Sequence, residues 1–173
     1  MEQLNFSYQF SDIKPISNLE VLPEGVYICV IHADKIPPHL GLIIDQKFFS
    51  LKTKGKDVDV PLDKLEHILS KKEVSTVFVK VVSSFTFSEI HDYFTQVSDG
   101  LAKGQTCLHP LIELLNPDEM CNTIADLLKY LERENQISAV FGLHLSNDYA
   151  GIPVYDRAAV ENRIKTLRNV ERN

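Results

Sequence analysis

No apolar stretch in the chain approaches the length of a membrane span. The longest runs, Val26 to Ile31 and Leu40 to Ile44, fall far short of the roughly 18–20 residues that a spanning helix needs. The N-terminus, Met1-Glu2-Gln3-Leu4-Asn5, lacks the basic and apolar regions of a secretory signal, so the expected location is cytoplasmic. Cysteine is scarce. Cys29, Cys107 and Cys121 are an odd set with no CxxC pair, which argues against a disulfide framework and against a zinc knuckle. The 7 Gly and 8 Pro are too few and too scattered for a low-complexity linker. An excess of positive charge is missing too: 18 Lys and Arg stand against 24 Asp and Glu, a formal net charge of -6. Such a chain has no general pull toward nucleic acid, and no nucleic-acid partner is expected.

What is present is globular. The 173 residues are 44% hydrophobic and 24% charged, a composition and length that fit one domain, 1–173. No repeat of the roughly 20–50-residue period of a solenoid is visible. Phe6, Tyr8 and Phe10 alternate, as in a short edge strand or an arm lying on the body. After the Glu24-Gly25 turn, Val26 to His32 is rich in β-branched and aromatic residues and reads as a buried strand. Pro37-Pro38 breaks the chain. His39 to Ile44 and Lys47 to Lys52 then form a hairpin around Asp45-Gln46. The basic segment Lys52, Lys54, Gly55, Lys56 lacks P-loop spacing and reads as a solvated tip.

Helical spacing dominates the remainder of the chain. Pro61 opens a helix with Leu62, Leu65, Ile68 and Leu69 on one face, and Val74 to Val82 alternates as a strand. Ser84 or Thr86 caps a helix carrying Phe87, Ile90, Phe94, Val97 and Leu101, which Gly100 or Gly104 ends. Cys107 to Leu115 reads as a further helix with Pro110 in its first turn. Met120, Cys121, Ile124, Leu127, Leu128 and Leu131 form a second stripe, on which Cys121 is expected to be a core residue. Ile137 to Leu145 reads as a strand and Arg157 to Leu167 as a helix. Consecutive strands come first, which favours an α+β domain with a mostly antiparallel sheet and packed helices.

The histidines (His32, His39, His67, His91, His109, His144) and the cysteines form no HExxH or zinc-finger pattern. Cys107 and His109, two apart, point to different sides of a helix. No metal and no cofactor are expected. There is no GxSxG nucleophile elbow. Thiol chemistry is the remaining option. A cysteine at a helix N-terminus meets the positive end of the dipole and unpaired N–H groups, which favour thiolate and could hold an oxyanion. Thiolate attack also wants an imidazole to take the proton and return it. His39 is the best placed, at a strand start and two residues before Gly41, where another backbone or a substrate can approach closely. The residues alone leave a plainer alternative open, in which Cys107 is core at a helix start and His39 a surface strand end.

Pro38-His39-Leu40-Gly41-Leu42-Ile43-Ile44 resembles the His-x-Gly strand of circularly permuted papain-like thiol enzymes, the permuted NlpC-type hydrolases and the lecithin:retinol acyltransferase-like proteins. In those families a His strand comes first, a hairpin is next, and a Cys opens a later helix. Thr106-Cys107-Leu108-His109 is similar to their Asn-Cys-x-His helix start. The resemblance covers about 25–116, leaving 117–173 as a helical and strand extension. It departs at Ser50, where the acyltransferase-like branch has a second His, at Thr106 in place of Asn, and at Pro110 in place of an aromatic residue. The resemblance implies a cysteine-dependent hydrolase or acyltransferase acting on an amide, ester or thioester of a small molecule, peptide or lipid. Cys107 would be the nucleophile, His39 the base and then the acid, and Ser50, or less favourably Asp45, the group that orients His39. The alternative is a catalytically inactive binding or structural module on the same scaffold. The stripe Met120 to Leu131 and the tail Val160 to Asn173 are also candidates for a homodimer or partner surface, with the stripe better explained as core.

Overall fold

The computed structural model of the chain describes residues 5–98 and 105–170. In chain order the elements are β1 (Phe6–Gln9), β2 (Lys14–Ile16), a 3-10 turn (Leu19–Val21), β3 (Val26–Ile31), β4 (His39–Ile44), β5 (Lys47–Leu51), β6 (Lys56–Pro61) and α1 (Leu62–Lys71). They continue with β7 (Thr76–Val81), α2 (Phe87–Gln96), α3 (His109–Leu115), α4 (Ile124–Arg133), β8 (Ile137–Leu143), β9 (Gly151–Pro153) and α5 (Arg157–Val170). Seven strands form one sheet in the order β2-β8-β7-β3-β4-β5-β6, while β1 and β9 pair separately. Every pairing is antiparallel except β2 with β8. The protein is therefore an α+β fold with a mostly antiparallel sheet. No helix among the described residues is long and apolar enough to cross a membrane.

The sheet is covered on both sides, which is why β3 is a continuous apolar run and not an alternating one. Val26, Ile28 and Val30 join a core with Ile90 and Phe94 of α2, Leu111 of α3 and the apolar face of α4. Tyr27, Cys29 and Ile31 face the other way, onto Leu65 and Leu69 of α1 and Leu19 of the 3-10 turn. The expected edge strand at Phe6 is β1, paired with β9. Three strands escape the sequence pattern. β2 and β9 have three residues each, and β2 contains a proline, which is tolerated at the sheet edge. β6 is charged and lies at the opposite edge.

Capping fixes two helix starts. Thr86 accepts from Glu89 N–H, and the Glu89 carboxylate accepts from Thr86 N–H. α2 ends at Gln96, with Val97 already extended, earlier than the apolar spacing implied. The expected stripe residue Leu101 and the stops Gly100 and Gly104 lie outside the described residues. Lys56 Nζ donates to the carbonyls of Thr95 and Val97 at 2.7 and 2.9 Å. The basic segment is thus more than a solvated tip, since one of its lysines satisfies the carbonyl end of α2. Thr123 and Asp126 form a second capping box, so α4 begins at Ile124. Ile124, Leu127, Leu128 and Leu131 are buried in the chain's own core, whereas Met120 precedes the helix and is 84% exposed. Cys121 also precedes α4 and is half-buried, a correction to its expected place in the core.

The β4–β5 hairpin closes through Asp45 and Gln46, both with positive φ (48° and 59°), the conformation of a two-residue turn matched to strand twist. At the hairpin's other end Gly41 is required. A Cβ there would meet the Phe48 ring at 2.4 Å and the Phe49 carbonyl oxygen at 2.7 Å. The backbone oxygen cannot turn aside as a flexible side chain would. Gly41→Ala is expected to lower the unfolding free energy by about 1–3 kcal/mol, read as a lower urea midpoint at unchanged slope.

Candidate active site

Three adjacent strands bring three polar side chains into line. His39 opens β4, Ser50 lies near the end of β5, and Asp57 lies near the start of β6. His39 Nε2 is 3.1 Å from Ser50 Oγ, and Ser50 Oγ donates to Asp57 Oδ2 at 2.8 Å. Ser50 and Asp57 are register partners only because β6 carries a bulge. Phe48 pairs with Val60, the register then shifts, and Ser50 pairs with Asp57. Without the shift Val58 would stand opposite Ser50. Asp59, at φ 58°, lies within the shifted stretch, a conformation that Asp tolerates better than branched residues. Asp57 Oδ1 takes a 2.7 Å ion pair from Lys52.

This chain fixes a tautomer. Ser50 has a single hydroxyl proton, directed to a carboxylate that can only accept. Its oxygen must therefore accept from His39, which places the ring proton on Nε2 and leaves Nδ1 as the basic atom. Burial lowers the His39 pKa to about 4; Asp57 opposes the shift, and Lys52 and His32 add to it. The imidazole is thus neutral over the ordinary pH range.

Cys107 arrives from the opposite side. It packs with the core formed by α2, α3 and α4, whereas His39 pairs with Ile31, whose side chain belongs to the α1-side core. The thiol reaches the backbone beside His39 where the hairpin opens. The β4–β5 pairing runs from Ile44↔Lys47 to Leu42↔Phe49 and stops before Leu40. The Leu40 N–H faces the Cys107 sulfur, and the thiol hydrogen bond goes to the Pro38 carbonyl at 4.0 Å. The sulfur therefore sits against the main-chain groups on either side of His39. Both residues line one cavity of about 480 Å³.

The expected helix-dipole activation of Cys107 does not hold. α3 starts at His109 and has seven residues, and Cys107 lies in the preceding turn, closed by His109 N–H donating to Thr106 O at 3.0 Å. Burial dominates and pushes the thiol up to about 11, against the lowering effect of the Leu40 and Cys107 N–H groups. Asp45 is corrected as an orienting group, because it belongs to the hairpin turn at the far end from His39. Asp57 is the residue that sequence reasoning missed. Its only signal was the alternation Lys56-Asp57-Val58-Asp59-Val60 after a basic segment.

Among the described residues no group of three or more His, Cys, Asp or Glu side chains is arranged to hold a metal ion. Comparison with protein-family models, with curated proteins and with solved structures gives no match to this chain.

Burial of a neutral His39 makes stability depend on pH. The unfolded chain takes up a proton near the ordinary value of 6.5, the folded one only near 4. The contribution is complete above pH 6.5 and is lost as pH falls from 6.5 towards 4, by about 3 kcal/mol in all. Urea unfolding of the native chain and of His39→Gln at several pH values measures this, with the variant expected to lose that part of the slope.

Proposed function

We propose that the protein is a cysteine-dependent hydrolase or acyltransferase that cleaves an amide, ester or thioester through an acyl-enzyme, on a scaffold of the permuted papain-like kind. The observation that carries this reading is the hydrogen-bonded chain from Asp57 through Ser50 to His39, which ends in the cavity that also holds Cys107. Such a chain aims Nδ1 of a neutral imidazole, the form a general base needs. The order of parts also supports it, since the His strand and its hairpin come before the thiol in the chain, with β6, α1, β7 and α2 between them.

In this reading a substrate carbonyl enters the cavity beside Cys107. The Sγ–H proton passes to His39 Nδ1 as sulfur bonds to the acyl carbon. The N–H groups of Leu40 and Cys107, which already lie against the sulfur, hold the developing oxyanion. The imidazolium is stabilised through Ser50 by Asp57 and returns its proton to the leaving group as the acyl–leaving-group bond breaks. Water, or another acceptor, then gives its proton to His39 as it bonds to the acyl carbon; the carbon–sulfur bond breaks and the departing thiolate takes the proton back from His39. The resting pair is neutral thiol and neutral imidazole, so the nucleophile forms only when substrate lets the proton move.

A specific observation favours a second reading, an inactive binding module. The thiol is bonded to the Pro38 carbonyl, not to the imidazole, and its pKa is raised. Acylation separates the two. A panel of activated esters, thioesters and anilides, followed by intact-mass and peptide analysis, is expected to leave one acyl group on Cys107. No acylation, or equal acylation of Cys121, would favour the module.

Two variants examine the chain behind the base. Ser50→Ala and Asp57→Asn are each expected to lower kcat by about 10–100-fold, with a smaller effect on KM. The acid limb of kcat/KM is expected near pH 4 and not near 6.5, following His39, as measured in a full pH–rate profile.

A further inference from the structure

The cavity wall has a charge that the chain as a whole does not. The protein has 24 acidic against 18 basic residues. Yet the described residues lining the cavity include Lys52, Arg157, Arg163, His32 and His109, and no Asp or Glu. Three of these have acidic partners: Lys52 pairs with Asp57 at 2.7 Å, His109 with Glu113 at 2.9 Å and Arg157 with Glu161 at 3.2 Å. Arg163 does not. Among the described residues no carboxylate lies within ion-pair distance of its guanidinium.

Arg163 belongs to α5, which forms one wall of the cavity. Val160, Ile164 and Leu167 recur at spacings of four and three and line the same cavity, so α5 offers an apolar stripe with one unpaired cation beside it. His32, which comes directly after β3 in a positive-φ conformation (56°), lines the same cavity. Burial is the main cause that disfavours protonation of His32; Lys35, Lys72 and Arg163 add to it, and Asp34 opposes it. Two basic side chains on one cavity, with no Asp or Glu among the described residues that line it, suit an anion that arrives from outside. A guanidinium engages a carboxylate or phosphate through two parallel N–H donors.

We propose that the substrate carries a carboxylate or phosphate group beyond its acyl bond, and that Arg163, with His32, binds this anion while the apolar stripe of α5 packs along the intervening chain. The inference rests on the acyl-transfer reading for the position of the scissile bond, but the anion subsite is testable without it.

Two matched pairs of substrates distinguish the sources of charge. The 4-nitrophenyl monoester of glutarate against that of butyrate places a carboxylate in the acyl part. An acyl phosphopantetheine against the corresponding acyl pantetheine places a phosphate in the leaving group. In at least one pair the charged member is expected to have a kcat/KM about tenfold higher or more. Arg163→Gln is expected to bring that ratio close to unity, and Arg163→Lys to retain part of it. A ratio near unity in both pairs for the native chain, or an unchanged ratio in Arg163→Gln, overturns the proposal. Arg163 is exposed, so these variants leave the core untouched.

A binding measurement covers the case in which no substrate turns over. Glutarate and inorganic phosphate are titrated into Cys107→Ala while the ring signals of His32 are monitored by NMR. A saturable shift with either anion, lost in the Cys107→Ala, Arg163→Gln double variant, supports the subsite even if the acyl-transfer reading has failed. No saturable shift with either anion overturns it.

Discussion

Ser50 has one hydroxyl proton to give, and Asp57 takes it. The orientation of the site depends on that single bond. With its proton committed, the hydroxyl accepts from His39, the imidazole is held as one tautomer, and its second nitrogen is left free to act as a base. The bond exists because a one-residue shift in β6 replaces an apolar side chain by a carboxylate opposite Ser50. The outermost strand of the sheet thus sets the chemistry of an inner one. That strand is itself anchored at both ends. Lys56 ties the start of β6 to the end of α2, and Leu62 N–H, just past its end, donates to Gln46 O in the hairpin turn.

Much of the scaffold could be read from residue pattern because local and tertiary preferences agree there. β3 and the β4–β5 hairpin are dense in apolar and β-branched residues, and the hairpin turn has two residues suited to positive φ. Thr86 and Thr123 lie three residues before an acid, and both start helices. The misses occur where a long-range contact decides. Cys121 shares the apolar spacing of α4, yet the Thr123–Asp126 capping box starts the helix after it. Asp57 sits among lysines in a segment with the composition of a loop, and only pairing with β5 makes it a strand residue. Of the site, His39, Ser50 and Cys107 were visible as candidates. The carboxylate behind Ser50 was not, because bulges have no short-range signature in a charged edge strand.

The thiol shows how burial can reverse an argument from local structure. A cysteine before a helix suggests stabilised thiolate, but here the helix is short and begins two residues later, and the sulfur is enclosed by the core side of the sheet. Desolvation penalises the charged forms of both partners, raising Cys107 and lowering His39. An ion pair at rest would require both groups to carry charge where burial disfavours it. The neutral pair avoids that cost; in the proposed reaction, charge separation waits until donors and a carbonyl are both in place.

The last helix completes this arrangement. Read from sequence, the tail Val160 to Asn173 is a candidate partner surface; within the fold its residues Val160, Ile164 and Leu167 line the cavity with Cys107 and His39. α5 is polar over most of its length, and its larger apolar side chains Val160, Ile164 and Leu167 line the cavity. The one carboxylate of the same helix, Glu161, is exposed and pairs with Arg157. Among the described residues, an acidic chain keeps its acids off this concave surface and so separates two roles for charge. Negative groups dominate the chain's overall balance, while the hollow keeps basic side chains, and for Arg163 no described carboxylate serves as counter-ion.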